Sequence, residues 1–158
     1  MIRSGIGYDI HRFAKERKLI LGGVEIPHSH GLEGHSDADV LSHAIADALL
    51  GATGAGDIGQ HFPNTDESLR GISSLEILKR VTKMLAERRT RIANIDATII
   101  AEAPKIAPHV SAMRQKIAAA TGVSESNVNV KATTNENLGA IGRGEGMAAI
   151  AIATVEVD

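Results

Sequence analysis

Apolar positions alternate with small or polar ones at the start of the chain. Ile2, Ile6 and Tyr8 fall on one side of an extended segment, and Gly5, Gly7, Asp9 and His11 fall on the other. That segment predicts a first strand. Residues 18–21 and 24–26, divided by Gly22-Gly23 and closed by Pro27, predict a short hairpin. The period then changes: Val40, Leu41, Ala44, Ile45, Ala48 and Leu49 recur at helical spacing, with Ser36 or Asp37 placed to cap and Gly51 or Gly54 placed to end the helix. Ser73 and Glu76 fit a capping box ahead of a second apolar stripe, Ile77, Leu78, Val81, Met84 and Leu85, that runs toward Arg89.

The β-branched run at 92–100, followed by Pro104, predicts a strand and a turn. A third helix is expected after Pro108, through Val110, Met113 and Ile117, ending at Gly122. Residues 128–134 and 147–157 read as the last strands, joined by a glycine-rich loop. The order predicts an α/β (α+β) fold, a small mixed sheet covered by about three helices, in a single domain over residues 1–158. The aperiodic stretch 56–71 is long for a plain connection, and loops of that kind often carry function.

Composition narrows the chemistry. Seventeen Lys and Arg against 19 Asp and Glu leave a formal charge of −2, so no basic field exists to attract nucleic acid or a membrane surface. Tyr8, Phe13 and Phe62 are the whole aromatic content, too little for base-stacking platforms. With no cysteine, any metal site must be built from histidine and carboxylate. The longest apolar run, 147–155, falls short of the roughly 18 residues of a membrane span, and the N-terminus carries no targeting pattern, so a cytoplasmic protein is expected.

Asp9 and His11 share a strand face, and His43 sits on the following helix, a set that can hold a metal with one tetrahedral position open. Two histidines and a carboxylate suit Zn²⁺ and equally the Fe(II) facial triad. The same residues also read as a capping acid, a core histidine and a surface histidine. His35 and Ser36 open the first helix, where free amides favour a phosphate, although helix capping alone explains them. Asp39, His43 and Asp47 lie four apart, so either acid is placed to orient the imidazole. Residues 57–66 concentrate groups suited to hydroxyls, residues 101–105 offer a strand end and a cation, and residues 131–136 lead into a glycine loop holding Arg143. Each of these has a plain turn or hairpin as its alternative.

Taken in order, G-Y-D-I-H at 7–11, G-H-S-D-A-D-V-L-S-H at 34–43, G-D-I-G at 56–59, F-P-N-T-D at 62–66, A-P-K at 103–105, K-A-T-T-N-E at 131–136 and G-R-G-E-G at 142–146 closely resemble the 2-C-methyl-D-erythritol 2,4-cyclodiphosphate synthase family. The resemblance spans almost the whole chain. It implies Zn²⁺ on Asp9, His11 and His43, a second ion, Mg²⁺ or Mn²⁺, on Glu136, and phosphate contacts from His35, Ser36 and Thr134, with His35 and Thr134 in catalytic roles. It implies substrate contacts from Asp9, Ile10 and His11, an erythritol subsite from Asp57, Ile58, Gly59, Phe62, Pro63, Asn64, Thr65 and Asp66, and a cytidine subsite from Ala101, Glu102, Ala103, Pro104, Lys105, Ile106 and Ala107. Thr133, Asn135, Ala140 and Arg143 complete the implied set.

The resemblance further implies a homotrimer with sites between subunits and release of CMP from a cytidine diphosphate substrate. Asn64 stands where the family often has Asp, which changes one substrate contact, and Ala140 replaces a frequent aromatic residue, which alters the lining of the central trimer cavity. The competing expectations are an Fe(II) oxygenase, whose many-stranded jelly roll conflicts with three helices, and a nucleotide-binding trimer without turnover.

Overall fold

The computed structural model describes residues 1–158. Strand β1 (Ile2–Lys15) pairs antiparallel with the C-terminal β7 (Gly146–Val157) from Ile2 opposite Glu156 to Arg12 opposite Gly146. Between them in sequence come β2 (Leu19–Leu21), β3 (Val24–Ile26), β4 (His30–Leu32), β5 (Thr90–Ile100) and β6 (Val128–Thr133). The main sheet has the order β4-β1-β7-β5-β6, and β2 and β3 form a separate hairpin. Only β5 and β6 run parallel, from Ile95 opposite Val128 to Ile100 opposite Thr133, which makes the sheet mixed as expected.

Three long helices, α1 (Val40–Thr53), α3 (Ser74–Glu87) and α4 (Val110–Thr121), cover the sheet. Two one-turn helices, α2 (Ile58–His61) and α5 (Gly139–Gly142), sit in the segments read as loops. Those four-residue turns are too short to show a period. The three-residue β4, too, carries no alternation to read.

Helix α1 lies at the centre, with nearly every side chain buried. The stripe Ile77, Leu78, Val81 and Leu85 of α3 and Met113 and Ile117 of α4 turn inward, as the helical spacing predicts. The sheet is covered on one side: Met147, Ala149, Ala151, Ala153 and Val155 of β7 are buried, whereas Ile150 and Ile152 are exposed. On β1 the apolar positions are the bare ones, with Ile6 70% and Tyr8 54% exposed, while Gly5 and Gly7 face α1.

Two helix starts differ from expectation. Neither Ser36 nor Asp37 caps α1; the cap is Asp39, whose carboxylate accepts from the Ser42 N–H at 3.0 Å. The same buried carboxylate accepts from Gly22 N–H at 2.9 Å and Gly23 N–H at 2.8 Å, so the choice of cap is made by the distant hairpin. The capping box of α3 also fails: Ser73 makes no side-chain cap bond, the Glu76 N–H goes to the Ser73 carbonyl at 2.9 Å and the Glu76 carboxylate accepts from Arg80, while Asp37 receives the neighbouring Ser74 N–H at 3.0 Å.

Candidate metal centre

Helix α1 crosses β1 so closely that side chains are excluded. A Cβ on Gly7 would run into the Ala44 carbonyl, and one on Gly5 into the Ala48 carbonyl. Two residues of strand advance about 6.6 Å and four residues of helix about 6 Å, so the contacts stay in step. Gly5 meets Ala48 and Ala52, Gly7 meets Ala44 and Ala48, and the next odd position, Asp9, meets the turn that carries His43.

Asp9 Oδ2 lies 2.9 Å from His11 Nε2 and 3.0 Å from His43 Nδ1, and the two ring nitrogens are 3.4 Å apart. The hydrogen bonds behind each ring fix where its proton is. His11 Nδ1 is 2.7 Å from the Glu33 carbonyl, which only accepts, so Nδ1 carries the hydrogen and the neutral ring turns a lone pair toward Asp9. Ser74 donates its hydroxyl to the Asp37 carboxylate, so its oxygen, 2.8 Å from His43 Nε2, accepts the hydrogen there. His43 Nδ1 is therefore also a lone pair. Ser36 Oγ flanks the same Nε2 at 3.1 Å and accepts from Ala38 N–H.

Three acceptor atoms thus converge with no hydrogen of their own between them, and such a cluster demands a cation. Without a metal, a proton on His11 fills the role. Burial opposes that charge, but the hydrogen bond and negative charge of Asp9 outweigh it and raise the His11 pKa above its ordinary value. Burial likewise pushes Asp9 up, yet the hydrogen bond and charge of protonated His11, the larger of the two imidazole contributions, hold its carboxyl down at about 2. The donors fit a metal. In a tetrahedron with bonds of about 2.0–2.1 Å, ligand atoms lie about 3.3 Å apart, close to the 2.9, 3.0 and 3.4 Å found here. Two nitrogens and one oxygen leave a fourth position for an outside oxygen.

Neither Asp39 nor Asp47 orients His43. Asp39 is spent on the hairpin amides and Ser42. Asp47 accepts the Ile58 N–H at 2.7 Å and so fastens α2 beside the centre. Burial, together with the Asp57 and Asp9 charges, raises the Asp47 carboxyl against that bond. The orienting groups are Ser74 and Asp37, which spacing did not single out for this role; Ser74 lies 31 residues from His43, and no local pattern links them.

A cavity of about 250 Å³ opens beside the imidazoles, lined by His11, Gly34, His35, Ser36 and His43 together with Ile58, Phe62, Asn64, Leu69, Ile72 and Ile77. His35 Nε2 donates to the Asp66 carbonyl at 2.9 Å, and the Asp66 carboxylate caps a following 3-10 turn through Ser68. Asp57 caps α2 through the Gln60 N–H at 2.9 Å, with Gly59 inside that turn. Pro63 and Thr65 lie on the same segment, outside the cavity wall.

The remaining residues of interest lie elsewhere on the chain. Ala101 N–H bonds the Thr133 carbonyl at 3.0 Å, which joins the turn after β5 to the end of β6. Within that turn Ile106 is buried, and Pro104 and Lys105 lead into the 3-10 turn before α4, which Ala107 opens. Ala103 and Glu102 edge a hollow with Phe13, His28 and His30. Neither this turn nor the segment Thr133, Thr134, Asn135 and Glu136 lines the cavity at the metal centre. Ile10 and Ala140 border a further hollow with His11 and Glu145, and Arg143 pairs with Glu145 at 2.8 Å.

Comparison with known proteins agrees with this geometry. The YgbB family model matches residues 2–156. A 2-C-methyl-D-erythritol 2,4-cyclodiphosphate synthase of Alkaliphilus metalliredigens is 60% identical over 98% of this chain and 97% of its own. Among solved structures, the bifunctional IspDF from Campylobacter jejuni superposes with a TM-score of 0.96 at 42% identity, over 100% of this chain and 43% of that one. IspF of Plasmodium falciparum, in complex with CDP, gives a TM-score of 0.86 at 33% identity, over 99% and 97% of the two chains.

Proposed function

The chain belongs to the YgbB family, and on that footing we propose that it converts 4-diphosphocytidyl-2-C-methyl-D-erythritol 2-phosphate to 2-C-methyl-D-erythritol 2,4-cyclodiphosphate and CMP. It is a lyase of isoprenoid biosynthesis by the non-mevalonate route. The observation that carries the reading is the convergence of Asp9, His11 and His43 as three acceptors beside a cavity of about 250 Å³, room for a small polyol phosphate.

An oxygen of the substrate's 2-phosphate attacks the β-phosphorus, the bond from that phosphorus to the CMP oxygen breaks, and CMP departs. Both reacting groups belong to one molecule, so the protein's task is to hold it folded and in line, an effect worth roughly 7–11 kcal/mol in favourable cases. When bound, Zn²⁺ on Asp9, His11 and His43 and Mg²⁺ or Mn²⁺ beside Glu136 supply polarisation and neutralisation of the phosphate oxygens. His35, tethered by Asp66, and the Ser36 hydroxyl stand at the cavity wall next to the metal centre and meet the transferring phosphate. Thr134 meets it from the opposite side. Ile58, Phe62 and Asn64 surround the methylerythritol, while Asp57 and Asp66 keep their turns in shape. Ala101 and the turn from Ala103 to Ala107 take the cytidine.

The residues for cytidine and for the second ion do not share the metal-side cavity within one chain. A homotrimer supplies both halves from neighbouring subunits, and the bare sheet face of Ile2, Ile6, Tyr8, Ile10, Ile150 and Ile152 gives it an apolar surface to bury. No helix is long and apolar enough to cross a membrane, in keeping with a cytoplasmic enzyme. Incubation of the substrate with the protein, Zn²⁺ and Mg²⁺, followed by phosphorus NMR, tests the reading. Equal amounts of CMP and cyclic diphosphate are expected. CMP with a linear diphosphate, or binding of CDP without turnover, contradicts it.

A further inference from the structure

We propose that Glu102 is a positioning residue of the cyclisation, fastening the loop after β6 to the turn after β5; the inference rests on the reading above. Glu102 Oε1 accepts from two loop amides, Asn135 N–H at 2.8 Å and Asn137 N–H at 3.3 Å. The loop needs such a tie. Glu136 and Asn137 are consecutive non-glycine residues in the left-handed region, at φ 51° and 60°, a conformation that persists only when its surroundings enforce it.

The loop's other side-chain bonds are local: Asn135 Nδ2 to the Leu138 carbonyl at 2.7 Å, Glu136 N–H to Thr134 Oγ1 at 3.2 Å, and the Thr133 hydroxyl to the Thr134 carbonyl at 3.4 Å. Glu102 alone brings a side chain to it from another element. Amides in a left-handed turn form a concavity that attracts anions. Here the chain supplies its own anion. The substrate phosphates are therefore left to the side chains the loop presents: the Glu136 carboxylate, through the divalent ion it would hold, and the Thr134 hydroxyl, whose oxygen already accepts Glu136 N–H and whose hydrogen is free to donate. Glu102 lies one residue beyond the backbone bond from Ala101 to Thr133, so the tie also joins the nucleotide side of the site to its phosphate side.

Glu102→Gln keeps a carbonyl acceptor at Oε1, and Glu102→Ala removes it. The readouts are amide hydrogen exchange at Asn135 and Asn137, CMP affinity, kcat, and the Mg²⁺ concentration for half-maximal rate. In the wild type and Glu102→Gln both amides are expected to be protected. In Glu102→Ala their exchange rises at least about tenfold, the Mg²⁺ requirement rises, and kcat falls by up to about 10²-fold, the scale of a small misplacement at a reacting centre, while CMP affinity holds. Weakened CMP binding with kcat and exchange unchanged makes Glu102 a nucleotide contact and overturns the proposal. So do unprotected amides in the wild type, or a glutamine variant as impaired as alanine. Exchange is read without turnover, so failure of the assigned reaction shows separately, as a wild type that does not cyclise.

Discussion

Ser74 Oγ stands 2.8 Å from His43 Nε2 and passes its own hydrogen to Asp37. That pair of bonds decides which nitrogen of His43 is free, because a carboxylate can only accept and the serine must therefore receive the imidazole hydrogen. The lone pair is left on Nδ1, 3.0 Å from Asp9. A metal site is thus prepared from behind the ligand, by two residues that never touch the ion.

Ser74→Ala is expected to weaken Zn²⁺ binding about 10–100-fold, the usual consequence of removing a partner behind a ligand. Chelator competition measures the affinity, and nitrogen NMR of the histidine ring reads its tautomer. An unchanged affinity with an unchanged tautomer would falsify the role given to Ser74.

The pH dependence follows from the raised His11 and lowered Asp9 values. Folded, metal-free protein gains from the charged His11 at pH below the ordinary histidine value, and loses that gain as pH rises through the raised one. The Asp9 share is present above its ordinary value of 3.8 and fades as pH falls toward about 2. Metal must displace the His11 proton, so apparent Zn²⁺ affinity should rise by up to about tenfold per pH unit until His11 is neutral, then level off. Calorimetry in buffers of different ionisation heat counts the released proton. Binding with no proton release in weak acid argues against the arrangement.

Asp39→Ala removes a helix cap and strands the Gly22 and Gly23 amides in the interior. A loss of about 3 kcal/mol is expected, from about 1 for the cap and about 1–3 for each buried amide left unpaired, partly relaxed. Urea unfolding measures it. A loss under about 0.5 kcal/mol would show that water or another acceptor replaces the carboxylate.

Ile6→Lys with Ile152→Lys places two charges on the bare sheet face and leaves the helix-covered core alone. Sedimentation should show the proposed trimer reduced to folded monomers, with turnover lost as expected of a site shared between two subunits. A monomeric wild type, or a trimer unaffected by both lysines, removes the assembly from the account.

The sequence shows the assembly of the metal centre well because one rule governs it. Alternation on β1 puts Asp9 and His11 on the face of Gly5 and Gly7, and the alanine rungs of α1 bring His43 to that face. The three long helices, too, follow from their apolar periods. What stays hidden is settled by distant partners. Ser36, Asp37 and Asp39 have similar capping chemistry, and only the Gly22-Gly23 amides select Asp39. Ser73 and Glu76 satisfy a capping pattern, but the Glu76 amide goes to the Ser73 carbonyl and the Glu76 carboxylate to Arg80, and distant Asp37 supplies the side-chain acceptor at this helix start, for the Ser74 amide. Alternation on β1 also leaves open which side is covered: the helix takes the glycine side, where the backbone can be approached closely, and the apolar side stays bare.

X-ray absorption and anomalous diffraction on the zinc-loaded protein bear most directly on the central claim, that three facing lone pairs await a cation. One zinc per chain is expected, about 2.0–2.1 Å from His11 Nε2, His43 Nδ1 and a single Asp9 oxygen. Zinc held through His43 Nε2, or bound away from Asp9, would contradict the account.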